Sequence, residues 1–166
     1  MSNNTYEIER KFLIRRPDRS FLEQRASCSE IVQTYLKSEP GETNRVRARR
    51  TGDQVRYTHT RKIKINPLRR IELEREFSKS EYDMLLQQAD SERKPIQKER
   101  WVMEYKGQNF EIDLFPFWSR QAYLELELAS EDQEIDFPPE LEIIREVSGD
   151  MRYTNAALAR DIPRED

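Results

Sequence analysis

Cysteine, histidine and long apolar segments are nearly absent from this sequence of 166 residues. Cys28 is the only cysteine and His59 is the only histidine. The chain therefore has no intrachain disulfide, and one Cys with one His is a poor donor set for zinc. No stretch approaches the roughly 20 apolar residues of a membrane span, and the first residues lack the apolar core of a secretory signal. We expect a cytoplasmic protein with no membrane partner.

Charge is abundant and nearly balanced. Lys and Arg number 29 against 32 Asp and Glu, and the net charge of -3 gives no global attraction to nucleic acid. Charged residues make up 37% of the chain, a share high enough to raise the question of disorder. An aromatic content of 10% and regular strand patterns argue against it. We expect a single domain over residues 1–166 and no nucleic-acid partner.

Charged side chains alternate with apolar ones along most of the predicted strands. In the first run, Glu7, Glu9 and Lys11 would share one face of an extended strand. The alternation returns at Arg45/Arg47/Arg49, Thr58/Thr60/Lys62, Arg70/Glu72/Glu74/Glu76, Lys98/Arg100, Glu111/Asp113 and Glu125/Glu127. One such strand is typical of a sandwich with a solvated face. A whole series favours a closed barrel with its charged face inward and its apolar face covered from outside.

The coarse secondary structure is dominated by strands. They are expected over residues 5–14, 31–36, 45–50, 54–64, 69–77, 96–105, 109–115 and 121–129. Gly52-Asp53 and the turn at 106–108 favour hairpins between neighbouring strands. The predicted fold class is therefore α+β, with mainly antiparallel sheet.

A few helices accompany these strands. One is expected to end near Ala26, one to span 79–90, and one to run from Thr154 through Arg160. Ser78 and Glu81 have the spacing of a capping box at the start of the second helix, and Thr154 has the side chain of an N-cap. Residues 137–147 are predicted to be helical or irregular.

A barrel interior of this composition suits a polyanion bound together with a divalent metal. Guanidinium groups bind phosphate oxygens with two donors, and lysines neutralise them as point charges. Clustered carboxylates recruit a hard cation such as Mg²⁺, which keeps several waters and bridges to phosphates. Interleaved charges of both signs can also pair with one another until a ligand arrives, which offsets the cost of burying them.

The charged motifs follow one another in a specific order. The chain begins with Glu7-Ile8-Glu9-Arg10-Lys11. The later motifs are Arg45-Val46-Arg47, Thr60-Arg61-Lys62, Arg70-Ile71-Glu72-Leu73-Glu74, Lys98-Glu99-Arg100, Glu111-Ile112-Asp113, Glu125-Leu126-Glu127 and Asp150-Met151-Arg152-Tyr153-Thr154-Asn155. Over nearly the whole chain this set resembles the CYTH superfamily, also called triphosphate tunnel metalloenzymes, in its short bacterial-type form.

The resemblance implies an eight-stranded antiparallel β-barrel with a few helices outside, whose tunnel binds a triphosphate with Mg²⁺ or Mn²⁺. By motif, the phosphate-binding residues would be Lys11, Arg45, Arg47, Lys62, Arg70, Lys98, Arg100 and Arg152. The metal-binding or water-orienting residues would be Glu7, Glu9, Glu72, Glu74, Glu111, Asp113, Glu125 and Glu127. Lys11, Glu7 and Glu9 would act in catalysis, whereas the motif of Arg152 could instead anchor the last helix.

The tunnel lysine of the fourth predicted strand has two candidates. Many short members carry Thr-x-Lys-Gly, whereas Lys62 is followed in this chain by Ile63-Lys64-Ile65. The alternation keeps Lys62 and Lys64 on the same face. We prefer Lys62 because Thr60 precedes it by two positions, and Lys64 stays as the alternative.

The resemblance favours metal-dependent hydrolysis of a small-molecule triphosphate, with inorganic triphosphate first and nucleoside triphosphates second. The sequence has no Ser-His-Asp set, cysteine motif or aspartyl-nucleophile motif, so direct in-line attack by water is simpler than a covalent intermediate. The open alternatives are a class IV-type adenylate cyclase, a thiamine triphosphatase, an RNA 5′-triphosphatase and a non-catalytic polyphosphate or nucleotide binding module. The many carboxylates argue against the binding module, and the resemblance allows a homodimer.

Overall fold

A computed structural model describes residues 2–166 as a β-rich fold. Its strands are β1 Ser2–Arg15, β2 Ser27–Tyr35, β3 Glu42–Thr51, β4 Gln54–Lys64, β5 Arg69–Phe77, β6 Ile96–Tyr105, β7 Gln108–Leu114, β8 Gln121–Glu127 and β9 Ile143–Glu146. Its helices are α1 Arg19–Arg25, α2 Lys79–Leu85 and α3 Asn155–Leu158, with 3₁₀ turns at Leu86–Gln88 and Met151–Tyr153.

Eight of the strands form a closed antiparallel barrel. They neighbour one another in the order β5-β4-β3-β2-β6-β7-β8-β1, and β1 returns to pair with β5. The long strand β1 makes closure possible because its first half pairs with β5 and its second half pairs with β8. The α+β fold and the eight-stranded barrel predicted from the sequence are both confirmed.

Strand β9 is the main departure from the predicted elements. Residues 137–147 were expected to be helical or irregular, but Ile143–Glu146 pair with Phe12–Ile14 of β1. Strand β5 pairs with β1 only as far as Ile8. On the same edge of β1, the backbone N–H and C=O groups that follow Ile8 therefore need another hydrogen-bond partner. β9 supplies that partner. The second predicted helix is also shorter than expected, because α2 ends at Leu85 and continues only as a 3₁₀ turn.

The predicted helix starts are confirmed by their hydrogen bonds. Ser78 Oγ accepts from the backbone N–H of Glu81 at 3.2 Å, and Glu81 Oε1 accepts from the backbone N–H of Ser78 at 3.4 Å. Thr154 Oγ1 accepts from the backbone N–H of Ala157 at 3.0 Å at the start of α3. These caps satisfy donors that would otherwise lack a partner in the first turn.

Apolar side chains pack on the outside of the barrel and at one end of its interior. The outer cluster includes Phe12, Phe110, Ile112 and Leu124, and Leu22 of α1 covers it. Because all neighbouring strands are antiparallel, the connections 36–41, 65–68, 86–95 and 115–120 lie at one end, called the loop end below. A second cluster fills part of that end with Leu13, Tyr35, Phe115, Trp118, Tyr123 and Tyr153. No helix among residues 2–166 is long and apolar enough to cross a membrane.

Candidate active site

A cavity of about 700 Å³ occupies the barrel interior. The sequence-predicted residues that line it are Glu7, Glu9, Lys11, Arg45, Arg47, Lys62, Arg70, Glu72, Glu74, Arg100, Glu111, Glu125 and Glu127. Segments 38–43, 66–67 and 147–151 add further lining at the loop end. The charged side chains on alternate positions of each strand thus point into one shared cavity, as expected for a closed barrel.

Arg45 and Arg47 of β3 form the basic centre of this cavity. Both side chains are buried, and Nε of each has no hydrogen-bond partner among the described residues. Within the same residues, no carboxylate lies within 4.0 Å of either guanidinium. Burial and the neighbouring charge of Arg45 lower the pKa of Arg47 to about 9. A buried cation without an anion is costly, so this part of the cavity is arranged to receive negative charge.

Three other cavity cations, Lys11, Lys62 and Arg70, are paired with cavity carboxylates. The pairs are Lys62 Nζ–Glu7 Oε1 at 3.2 Å, Arg70 Nε–Glu7 Oε1 at 3.3 Å, Arg70 Nη2–Glu9 Oε1 at 3.4 Å and Lys11 Nζ–Glu125 Oε1 at 3.6 Å. All four distances exceed the 2.7–2.9 Å typical of strong charge-assisted hydrogen bonds. The interleaved pairing predicted from the sequence is confirmed, and its loose geometry leaves the partners able to exchange for a ligand.

Burial and neighbouring carboxylates raise the pKa values of several cavity carboxyl groups, even where a cation lies close by. Burial, and then the charge of Glu125, raise the pKa of Glu9 to about 8. Burial also raises the pKa values of Glu7, Glu111 and Glu127. A hydrogen bond with the Glu72 side chain raises the pKa of Glu7 further. Several negative charges so close together in a buried space repel one another. Protonation of a carboxyl group or binding of a cation reduces this repulsion.

Glu125 behaves differently from its neighbours. Burial raises its pKa, but the positive charges of Lys11, Arg100 and Lys98 outweigh burial and hold the pKa at about 2. Glu125 is therefore ionised at neutral pH, and its charge adds to burial in raising the pKa of the neighbouring Glu9.

Lys98 and Asp113 do not line the cavity. Lys98 Nζ lies 2.8 Å from Asp113 Oδ2, and both side chains are fully buried. Arg100 donates to Asp113 from Nε and Nη2, each over 2.9 Å, so the carboxylate is surrounded by cations. These charges hold the pKa of Asp113 well below its usual range, although burial raises it. Asp113 thus positions Arg100, which does line the cavity and reaches Glu111 Oε2 at 3.0 Å.

Arg152 also lies outside the cavity. Its side chain is 70% exposed and pairs with Asp150 at 2.8 Å. Asp150 caps the turn Met151–Tyr153 by accepting from the backbone N–H of Arg152 at 3.1 Å. The contacts of Arg152 are therefore with the turn that precedes α3, and its roles as phosphate contact or helix anchor both stay predictions.

Lys62 and Lys64 both line the cavity, but at different depths. Lys62 is 16% exposed and contacts Glu7, whereas Lys64 is exposed and its Nζ lies 3.3 Å from Met151 Sδ. The deeper position agrees with the preference for Lys62.

Three further arginines line the cavity, namely Arg49, Arg93 and Arg160. Arg49 continues the alternation of Arg45 and Arg47, and the sequence pattern placed it on the same strand face without assigning it a role. Arg93 and Arg160 lie outside strands, where no periodic signal exists to mark them.

Comparison with known proteins places the chain in a family. No family model matches it. The chain is 33% identical over 159 residues to the inorganic triphosphatase of Nitrosomonas europaea, covering 95% of this chain and 99% of that protein. The chain belongs to the CYTH superfamily of triphosphate tunnel enzymes.

Solved structures agree with this CYTH assignment. The crystal structure of an inorganic triphosphatase aligns with a TM-score of 0.60 and 31% identity, over 95% of this chain and 97% of that one. A protein of Pyrococcus furiosus aligns with a TM-score of 0.56 over 76% of this chain and 80% of that one. Its identity of 20% supports a shared fold alone.

Proposed function

We propose that this CYTH-superfamily chain is a divalent-metal-dependent triphosphatase, of the short bacterial type and built as one domain, with inorganic triphosphate as its preferred substrate. One observation carries the proposal: the buried guanidinium groups of Arg45 and Arg47 line a charged cavity, and no carboxylate of the described residues pairs with either of them. The relative at 33% identity is an inorganic triphosphatase and supports the same substrate class.

Phosphate binding follows from the chemistry of the cavity cations. A triphosphate presents many oxygens in a short chain, and guanidinium groups bind such oxygens with two parallel donors. Arg45 and Arg47 would supply the central contacts, with Arg100 beside them and Lys11, Lys62 and Arg70 released from their loose ion pairs. The buried environment strengthens each contact relative to water.

The carboxylates fit a hard divalent cation, either Mg²⁺ or Mn²⁺. No three Asp, Glu, His or Cys side chains among the described residues already converge on one point as metal ligands. Mg²⁺ does not require such a cage, because it is commonly held by one or two carboxylates together with waters and substrate phosphates. Glu7, Glu9 and Glu127 are the best candidates, since burial and mutual repulsion raise their pKa values. A bound cation would neutralise phosphate oxygens and act as a Lewis acid.

The reaction would be direct transfer of a terminal phosphoryl group to water. Glu7 and Glu9 would orient the attacking water, while Lys11, Lys62 and Arg100 would stabilise negative charge on the phosphoryl oxygens. Asp113 and Lys98 would hold Arg100 in place from beneath the cavity. The P–O bond to the bridging oxygen breaks as the bond from water forms, so the products are orthophosphate and pyrophosphate.

The proposal is tested by orthophosphate release from inorganic triphosphate in Mg²⁺ or Mn²⁺, with Arg47→Ala compared against Arg50→Ala. Arg50 is the matched control because it lies on the same strand with its side chain exposed on the opposite face. We expect Arg47→Ala to lower kcat/KM by about a hundredfold, the scale of losing a preorganised phosphate contact. Arg50→Ala should stay within about twofold of wild type. Equal rates for the two variants would refute the assignment of the phosphate site.

A further inference from the structure

Arg93 is a cavity residue outside the strands and their charged motifs. It lies in the connection between the 3₁₀ turn Leu86–Gln88 and β6, at the loop end of the barrel. Its guanidinium carbon lies 5.5 Å from the centre of the Tyr35 ring. Tyr35 is directly opposite Arg45 in the β2–β3 ladder. Arg93 therefore extends the basic centre of the cavity toward the loop end.

The guanidinium of Arg93 has unused donors. Nε and Nη1 are buried, and neither has a hydrogen-bond partner among the described residues. The nearest carboxylate oxygen is Asp90 Oδ2, 3.5 Å from Nε, which is too long for a strong charge-assisted bond. The same oxygen lies 3.7 Å from Arg160 Nη2, so one carboxylate is shared by two arginines. Arg93 thus brings to the cavity wall a positive charge that Asp90 offsets only loosely.

Arg93 lies at the loop end of the cavity, whereas Glu127, one of the carboxylates proposed to hold metal, lies at the end of β8 away from the loop end. Glu127 is the last residue of β8 and pairs with Glu9 at the middle of β1, away from the loop end. A linear phosphate chain along the interior would therefore direct one end toward the carboxylates and its other end toward Arg93.

We propose that Arg93 is a specificity-determining residue that binds the terminal phosphate farthest from the carboxylates. This inference rests on the proposed function. Inorganic triphosphate ends in a free phosphate on both sides, whereas a nucleoside triphosphate has one end esterified to ribose. A free terminal phosphate carries more negative charge and one more unsubstituted oxygen than an ester, and both favour contact with an arginine fork. Arg93 would therefore favour inorganic triphosphate over nucleoside triphosphates.

The test compares kcat/KM for inorganic triphosphate and for ATP in wild type, Arg93→Ala, Arg93→Lys and Arg61→Ala. Arg61 is the control because it points out of the barrel and pairs with Glu42 at 2.7 Å. We expect Arg93→Ala to lower kcat/KM for triphosphate by about tenfold or more, mainly through KM, as expected for a lost charged hydrogen bond. The value for ATP should change by less than about threefold. Arg93→Lys should recover part of the preference by restoring the charge.

The outcomes separate this inference from the proposed function. If wild type hydrolyses triphosphate but Arg93→Ala lowers both substrates equally, or neither, the specificity role is overturned and the proposed function stands. If wild type hydrolyses no triphosphate, the proposed function fails, and calorimetric binding then tests Arg93 alone. In that experiment Arg93→Ala must weaken binding of inorganic triphosphate more than binding of ATP, and an equal loss would overturn the inference.

Discussion

Arg47 donates a hydrogen bond from Nη2 to Gln33 Oε1 over 2.9 Å, between neighbouring strands β3 and β2. Gln33 is fully buried, and its Nε2 donates in turn to the hydroxyl of Tyr35 at 3.1 Å. A neutral amide orients a guanidinium without cancelling its charge. Gln33 therefore keeps Arg47 in place while leaving its positive charge available for an anion.

Replacing this amide with a carboxylate should weaken substrate binding. In Gln33→Glu the new charge would pair with Arg47 and compete with phosphate, so KM for inorganic triphosphate should rise about tenfold. Gln97→Glu is the matched control, because Gln97 is exposed on the neighbouring strand β6. Steady-state kinetics measure both variants, and an unchanged KM in Gln33→Glu would contradict the role assigned to Arg47.

The carboxyl of Glu9 should make the metal-free protein less stable as pH rises. Its pKa is about 8 in the folded protein against 4.5 for the ordinary side chain, so the folded state binds more protons between those values. Stability then falls across this window with rising pH. Glu9→Gln removes the effect, so its melting temperature with EDTA should exceed that of wild type at pH 8, and the gain should vanish near pH 4.5.

An exposed glutamate provides the control for this pH dependence. Glu104 lies exposed on β6, and Glu104→Gln should follow the wild-type melting curve at every pH. Added Mg²⁺ should stabilise wild type at pH 8 more than it stabilises Glu9→Gln, because the cation removes the same repulsion. A lower melting temperature for Glu9→Gln than for wild type at pH 8 would contradict a net cost of ionising the buried Glu9 carboxyl group.

The two lysines of β4 should contribute unequally to catalysis. Lys62 is the deeper of the two and contacts Glu7, whereas Lys64 is exposed beside Met151. Lys62→Ala should lower kcat about a hundredfold, as for the loss of a buried transition-state donor, and Lys64→Ala by less than tenfold. Each variant is the other's control, and the opposite ranking would make Lys64 the tunnel lysine.

The Lys98–Asp113 pair should matter chiefly for stability. Removing Lys98 takes one of two cations away from the buried Asp113 carboxylate and leaves it with Arg100. Lys98→Met should therefore lower the free energy of unfolding by about 3 kcal/mol. Lys94→Met, at an exposed position, should change it by less than about 0.5 kcal/mol. Denaturant titration measures both, and similar values for the two would contradict this role.

The strand alternation accounts for most of what the sequence could predict. It identified the barrel and the inward face of each strand, and β5 and β6 have the predicted bounds of 69–77 and 96–105. In the register between β1 and β8, Glu9 lies directly opposite Glu127. This agrees with the prediction that the charged faces of the strands share one interior.

What the sequence missed depends on contacts between distant segments. Strand β9 forms because one edge of β1 is left without a partner, which local propensity does not record. Arg93 reaches the cavity from a loop, where no period marks which side chains point inward. The alternation also predicted that Lys98 and Asp113 line the cavity, whereas both are fully buried outside its lining. Alternation shows which face of a strand a side chain is on, but not how far along the strand the open cavity extends.

The most direct test of the central claim is the stoichiometry of products from inorganic triphosphate, measured with purified protein in Mg²⁺, in Mn²⁺ and in EDTA. The proposed function predicts equal amounts of orthophosphate and pyrophosphate with a divalent metal, and no products with EDTA. Tight triphosphate binding without products in any metal, or cyclic AMP and pyrophosphate from ATP, would contradict it.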